Sequence, residues 1–162
     1  MASDAARAPL HTGAAGEAEE FAPPRTRMAI SVLALLGLLI SLYLSMYKWG
    51  LMGAIQCSIG GCDVVQNSPW AYFLGQPVAV WGLGAYLSLL ALSLVGVQPR
   101  FVEARWVALA LFGISAVGVL FSAYLTYLEA VVIRAWCQWC VVSAILVTLI
   151  FLLSIPGLKR AR

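Results

Sequence analysis

The chain has 162 residues, 62% of them hydrophobic and 10% charged, with a mean hydropathy of +0.92. A soluble domain carries about 25% charged residues, so this composition excludes a water-soluble globule and points to a membrane protein with room for about four spans of roughly 20 residues. The net charge of +3 is too small to signal a nucleic-acid partner, and the lone histidine, His11, lies in a polar tail, which argues against imidazole catalysis and histidine-rich metal sites.

Residues 1–24 are rich in Ala, Gly and Glu without apolar periodicity and read as a disordered tail ending at Pro23-Pro24. Arg25 and Arg27 precede a first apolar run over about 28–47. That run is too long for a typical signal-peptide core and has no small-x-small site after it, so a retained helix is expected. Residues 48–76 hold Gly50, Gly53, Gly60-Gly61 and Pro69, but also Trp49, Ile55, Val64, Val65, Trp70, Tyr72 and Phe73. A loop this long and this apolar should pack on the bundle or lie in the interface. Within it, residues 62–66 are expected to form a short helix, with the glycine pair as a flexible start and Pro69 soon after the end. A second span is expected over about 77–97 with Pro77 as its first residue, then a tight turn at Gln98-Pro99-Arg100. A third span is expected over about 103–128, a short connection over 129–135, and a fourth span over about 136–155 stopped by Pro156-Gly157. The reading is all-α: an integral membrane four-helix bundle over residues 25–158 with a long outer loop carrying a short helix, and a basic end at 159–162.

Four spans put both termini and the middle turn on one side. That side carries Arg25, Arg27, Arg100, Arg105, Lys159, Arg160 and Arg162, and the other only Lys48 and Arg134. The termini are therefore expected in the cytoplasm. Every cysteine then falls on the outer face, which in bacteria tolerates disulfides.

The four cysteines form two pairs. Cys137-Gln138-Trp139-Cys140 is a CxxC opening the last span, where free N–H groups and the helix dipole favour a thiolate. Cys57 and Cys62 form a C-x4-C around two glycines, readable as a structural clamp or, given the second dithiol on the same face, as a mobile shuttle. Two dithiols on one membrane face make a short electron relay, and a dithiol gives up the two electrons and two protons that a quinone accepts. A four-thiolate zinc site in a membrane protein is the alternative of another class, though no intramembrane Asp, Glu or His offers an ion path. Ser41 with Ser45, and Ala104 with Ala108, are small residues at i, i+4 that let helices approach.

The loop pair Cys57 and Cys62, Ser68 six residues on, the segment Gly75, Pro77, Gly82, Tyr86 opening the second span, and the CxxC opening the fourth make this chain resemble the vitamin K epoxide reductase family, in particular its bacterial homologues. The order of the pairs differs from the other quinone-linked disulfide oxidase of bacterial envelopes, in which the CxxC comes in the first outer loop. The resemblance implies a bundle around a pocket for a quinone of the menaquinone, ubiquinone or phylloquinone class, with membrane lipid around it in the bacterial inner membrane. It implies that Cys57 faces the partner's thiols, that Cys62 exchanges with Cys137 through an interloop disulfide, and that Cys140 lies beside the quinone. Ser68 would hold the loop over the pocket, and Val64, Val65, Trp70 and Phe73 would form its lid, with Tyr86 at the ring site. Many bacterial members carry a fused thioredoxin-like domain, which this sequence lacks, so a separate thioredoxin-fold periplasmic partner is expected. The vertebrate enzyme's pocket asparagine falls near Val78 and a pocket tyrosine near Ala144. The expected activity is a thiol–disulfide oxidoreductase with a quinone as acceptor that supports disulfide formation in exported proteins. The alternative within the family is a quinone or quinone-epoxide reductase whose main product is the quinol.

Overall fold

Residues 25–58, 60–101 and 104–160 are described by the computed structural model, so the tail expected over 1–24 lies outside the described residues. Four long helices dominate: α1 (Arg25–Lys48), α3 (Val78–Val95), α4 (Arg105–Tyr127) and α5 (Gln138–Arg160). All four are long and apolar enough to cross a membrane. The short helix α2 (Cys62–Gln66) lies between α1 and α3, as expected. Helix α1 packs against α3 and α5, and α4 against α5 and α3, which closes a four-membered ring.

The core of that ring takes residues from every long helix: Ile30 and Ala34, Tyr86 and Leu89, Val107 and Leu111, Val147 and Ile150. Many large apolar side chains instead face outward. Leu120 is 72% and Val117 67% exposed, which suits acyl chains and not water. Buried serines return their hydroxyls to their own helices: Ser45 to the Ser41 carbonyl at 2.7 Å, Ser115 to Leu111 at 2.7 Å, Ser154 to Phe151 at 2.6 Å. This satisfies polar atoms where no water is at hand. Gly82 allows the close crossing of α1 and α3, because a Cβ there would sit 3.0 Å from the Ser41 hydroxyl. A second crossing is closer still: the Tyr86 ring lies flat against Gly37, where any Cβ would overlap it.

Some local expectations need correction. Residues 129–133 are not a connection. Helix α4 continues through a π-helical turn, Leu128–Ile133, until Arg134 adopts a left-handed conformation (φ 57°) and ends it. The apolar run of that segment sustains the helix, and the widened turn aims Glu129 at α5. Pro156-Gly157 does not stop the last helix, which runs on to Arg160. Pro156 removes a single N–H close to the membrane surface, where water or headgroups can satisfy the carbonyl it frees. Pro77 has extended backbone (ψ 137°) and precedes α3 instead of being its first residue. The loop between α1 and α3 also contains a small antiparallel hairpin, β1 (Tyr72–Phe73) with β2 (Gln76–Pro77). Leu74 (φ 52°) and Gly75 (φ 78°) make its two-residue turn, and Trp81 ties it to α3 by donating to the Phe73 carbonyl at 3.1 Å.

Candidate functional site

The loop carrying the first cysteine pair is docked on the mouth of α5. Gly60 and Cys137 form an antiparallel bridge, and the Gly61 N–H donates to the Trp136 carbonyl at 3.0 Å. Gly60 sits at φ 96°, and a Cβ there would collide with the Trp136 carbonyl oxygen. Only glycine fits both conditions. The pair read from sequence as a flexible entry is thus, at Gly60, a close-approach contact. Further bonds hold the segment beside Cys57. Trp139 donates through Nε1 to the Gln56 carbonyl at 2.8 Å, the Ser58 N–H donates to Gln138 Oε1 at 3.1 Å, and the Gln56 N–H donates to the Tyr43 hydroxyl at 2.8 Å. The Lys48 ammonium donates to the Gln66 carbonyl, tying α2 to the end of α1.

This docking brings the two pairs together. Cys57 and Cys62 are joined in a disulfide, with Cα atoms 6.1 Å apart. Cys137 and Cys140 are free thiols. Cys62 and Cys137 are both fully buried and pack in one cluster with Val65, against which Cys57, Cys140 and Trp139 rest. Cys137 stands just before α5, and its carbonyl accepts the first helical N–H, from Val141, at 3.0 Å. Its thiol is held down to about 7, first by the hydrogen bond from the Cys140 thiol, against the opposing effect of burial. A thiol made more acidic than usual attacks disulfides more readily near neutral pH.

Two polar residues that sequence reading did not assign to the site surround these sulfurs. Gln66 is buried, and its amide lies 3.6 Å from the Cys140 sulfur and 4.0 Å from that of Cys137. The signal for it was present: Gln66 follows Cys62 by four residues, which on a helix places both on one face. Glu129 is buried at 3% exposure, accepts the Cys137 N–H at 3.1 Å and is in hydrogen-bonding contact with the Cys140 thiol. A carboxyl at the end of an apolar run, eight residues before a CxxC, is itself a signal, since such groups are costly unless used.

Beneath the loop lies a cavity of about 480 Å³, within the range of small-molecule sites. Cys140, Gln66 and Glu129 are in its wall, and so are the expected residues Val65, Ser68, Phe73 and Tyr86. Val65 faces inward from α2, whereas Val64, expected beside it, is 52% exposed and is not in the cavity wall, because adjacent residues on a helix point about 100° apart. The Ser68 hydroxyl donates to the Val65 carbonyl at 2.7 Å, so it fixes the end of α2 within the loop. The Tyr86 hydroxyl donates to the Ser143 carbonyl at 2.7 Å, one turn beyond Cys140. A flat, apolar ring with carbonyl edges matches this lining: aromatic and aliphatic faces, with amide, hydroxyl and carboxyl groups near one sulfur. Among the described residues no group of three or more His, Cys, Asp or Glu is placed to hold a metal. The loop disulfide would also remove two thiolates from any four-cysteine zinc site.

The model of the vitamin K epoxide reductase family matches residues 28–155. Among curated proteins, thiol-disulfide oxidoreductase LTO1 of Arabidopsis thaliana is 35% identical over 109 residues, 64% of this chain. The matched part spans 29% of that relative's length.

Proposed function

The chain belongs to the vitamin K epoxide reductase family, and from that premise we propose that it oxidises the thiols of a thioredoxin-fold partner and passes the electrons to a membrane quinone. The observation that carries this reading is the stacking of the two pairs over one cavity: a loop disulfide, a CxxC of free thiols with Cys137 buried, and Cys140 in the cavity wall. A partner thiolate attacks Cys57, opening the loop disulfide and freeing Cys62. Cys62 and Cys137, packed together, are the sulfurs through which the loop pair and the CxxC exchange. Cys140 faces the quinone, and Val65 and Phe73 close the cavity over it.

The excess of Arg and Lys at the termini and middle turn supports cytoplasmic termini and an outer face that carries the cysteines. In a bacterial inner membrane that geometry delivers disulfides to exported proteins.

The test uses purified protein in lipid, a reduced thioredoxin-fold donor and a short-chain quinone. Donor-dependent quinone reduction is expected in the wild type. In Cys140→Ala it should be abolished while the loop pair still exchanges with the donor. Unchanged quinone turnover in that variant overturns the assignment of Cys140.

A further inference from the structure

The cavity wall holds a carboxyl that dithiol–disulfide exchange does not use. Glu129 lies on the π-helical turn at the end of α4, 3% exposed. Its side chain reaches the Cys137 N–H and the Cys140 thiol, and it lines the cavity beside that sulfur. Asp63, the other carboxyl among the described residues, is exposed on α2, so Glu129 is the buried one. The groups that touch it are an N–H and a thiol, with no ammonium or guanidinium among them.

Burying a carboxyl in such a place is unfavourable, and a plain helix-capping role does not require it. An amide or hydroxyl would accept the Cys137 N–H equally well. What a carboxyl adds is the capacity to take and return a proton. Quinone reduction needs that capacity at this spot, because the reducing sulfurs and the ring oxygens exchange protons as well as electrons.

We propose that Glu129 is the proton carrier between the Cys140 thiol and the nearer quinone oxygen. This rests on the quinone-linked reading above. The Cys140 S–H bond breaks and its proton passes to the Glu129 carboxylate. The Cys137–Cys140 S–S bond forms, and the two electrons released enter the quinone, whose two C=O bonds become C–O single bonds. Glu129 gives its proton to one oxygen and is a carboxylate again. The second oxygen takes a proton from water, equal to the one Cys137 released when it ionised. The sum is dithiol plus quinone giving disulfide plus hydroquinone.

Glu129→Gln keeps an oxygen to accept the Cys137 N–H but cannot carry a proton. The readouts are kcat and KM for a short-chain quinone, and in parallel the rate of exchange between the loop pair and the CxxC. We expect kcat to fall about 100-fold, the lower end of general acid–base contributions. KM should stay within about threefold, exchange should not slow, and Glu129→Asp should restore part of kcat. A Gln variant with wild-type kcat overturns the proposal, whereas a wild type that reduces no quinone overturns the quinone-linked reading itself. Should the Gln variant fold poorly, a time-resolved infrared spectrum of wild-type protein taken during quinone reduction decides. A transient protonated-carboxyl band is expected as the carboxylate takes up the Cys140 proton, and a time course with none overturns the proposal.

Discussion

In the middle of the bundle, most serine hydroxyls serve their own helix, with Ser31 to Ser93 at 2.9 Å a bond across α1 and α3. Ser45, Ser115 and Ser154 each bond a carbonyl one turn back, and the contacts between helices there are mostly apolar or are close crossings over Gly37 and Gly82. At the cysteine-bearing end the pattern reverses. Trp139 bonds the Gln56 carbonyl, Gln66 reaches the sulfurs of the CxxC, Glu129 caps Cys137, and Gly61 pairs with Trp136. One region is a scaffold that lipid can surround, with its polar groups hidden locally. The other spends its polar groups on holding two cysteine pairs and a cavity in register. The difference teaches where reactivity comes from: the four helices supply a dry, fixed frame, and a few cross-element bonds at one end decide which sulfur meets which.

The contrast is broken most sharply at Gly60. In Gly60→Ala the new methyl collides with the Trp136 carbonyl and the backbone must leave φ 96°. Strain of about 1–3 kcal/mol should undock the loop and slow exchange between the two pairs by tenfold or more, while helix content is unchanged. Stopped-flow mixing of the CxxC dithiol with the loop disulfide measures this, and a wild-type rate would mean the docking is incidental. Next in size is Val65→Asp. An acid forced into the buried face of α2 resists desolvation, so quinone KM should rise about tenfold while exchange of Cys57 with a soluble donor persists. An unchanged KM in folded protein would make the loop a surface feature and not a lid.

A smaller effect is expected from Gln66→Leu. Its amide donates toward both thiols, and donation to the charged form lowers a thiol pKa. It is the weakest of the influences on Cys137, so the titration midpoint should move upward from about 7 by less than about one unit. Thiolate absorbance against pH reads it, and a downward move would reverse the assigned role. Smallest of all, Ser115→Ala in the scaffold should change stability by no more than about 0.5 kcal/mol and leave turnover alone, since that hydroxyl bonds only its own helix. A loss of exchange or quinone reduction in this variant would erase the distinction between the two regions.

The parts legible in the sequence are those written in local patterns. Apolar runs gave the four-helix bundle, and the glycine pair before residues 62–66 marked the short helix α2. The cysteine spacings with Ser68, Gly75, Pro77, Gly82 and Tyr86 gave the family. What the pattern concealed depends on how elements meet. Gly60 reads as freedom in one dimension and is a contact in three, because its missing Cβ is filled by Trp136. Glu129 reads as a loop acid, yet the π-helical turn carries it inward to Cys137. Val64 and Val65 are alike in type, and only the docking angle of α2 decides which is buried.

The central claim is that the loop pair and the CxxC exchange through Cys62 and Cys137. It is tested most directly by trapping that step in Cys57→Ala with Cys140→Ala, which removes both resolving sulfurs. Peptide mapping of the folded double variant after mild oxidation should find a Cys62–Cys137 disulfide as the main product. Two thiols that stay free, or that pair only between molecules, would contradict the account.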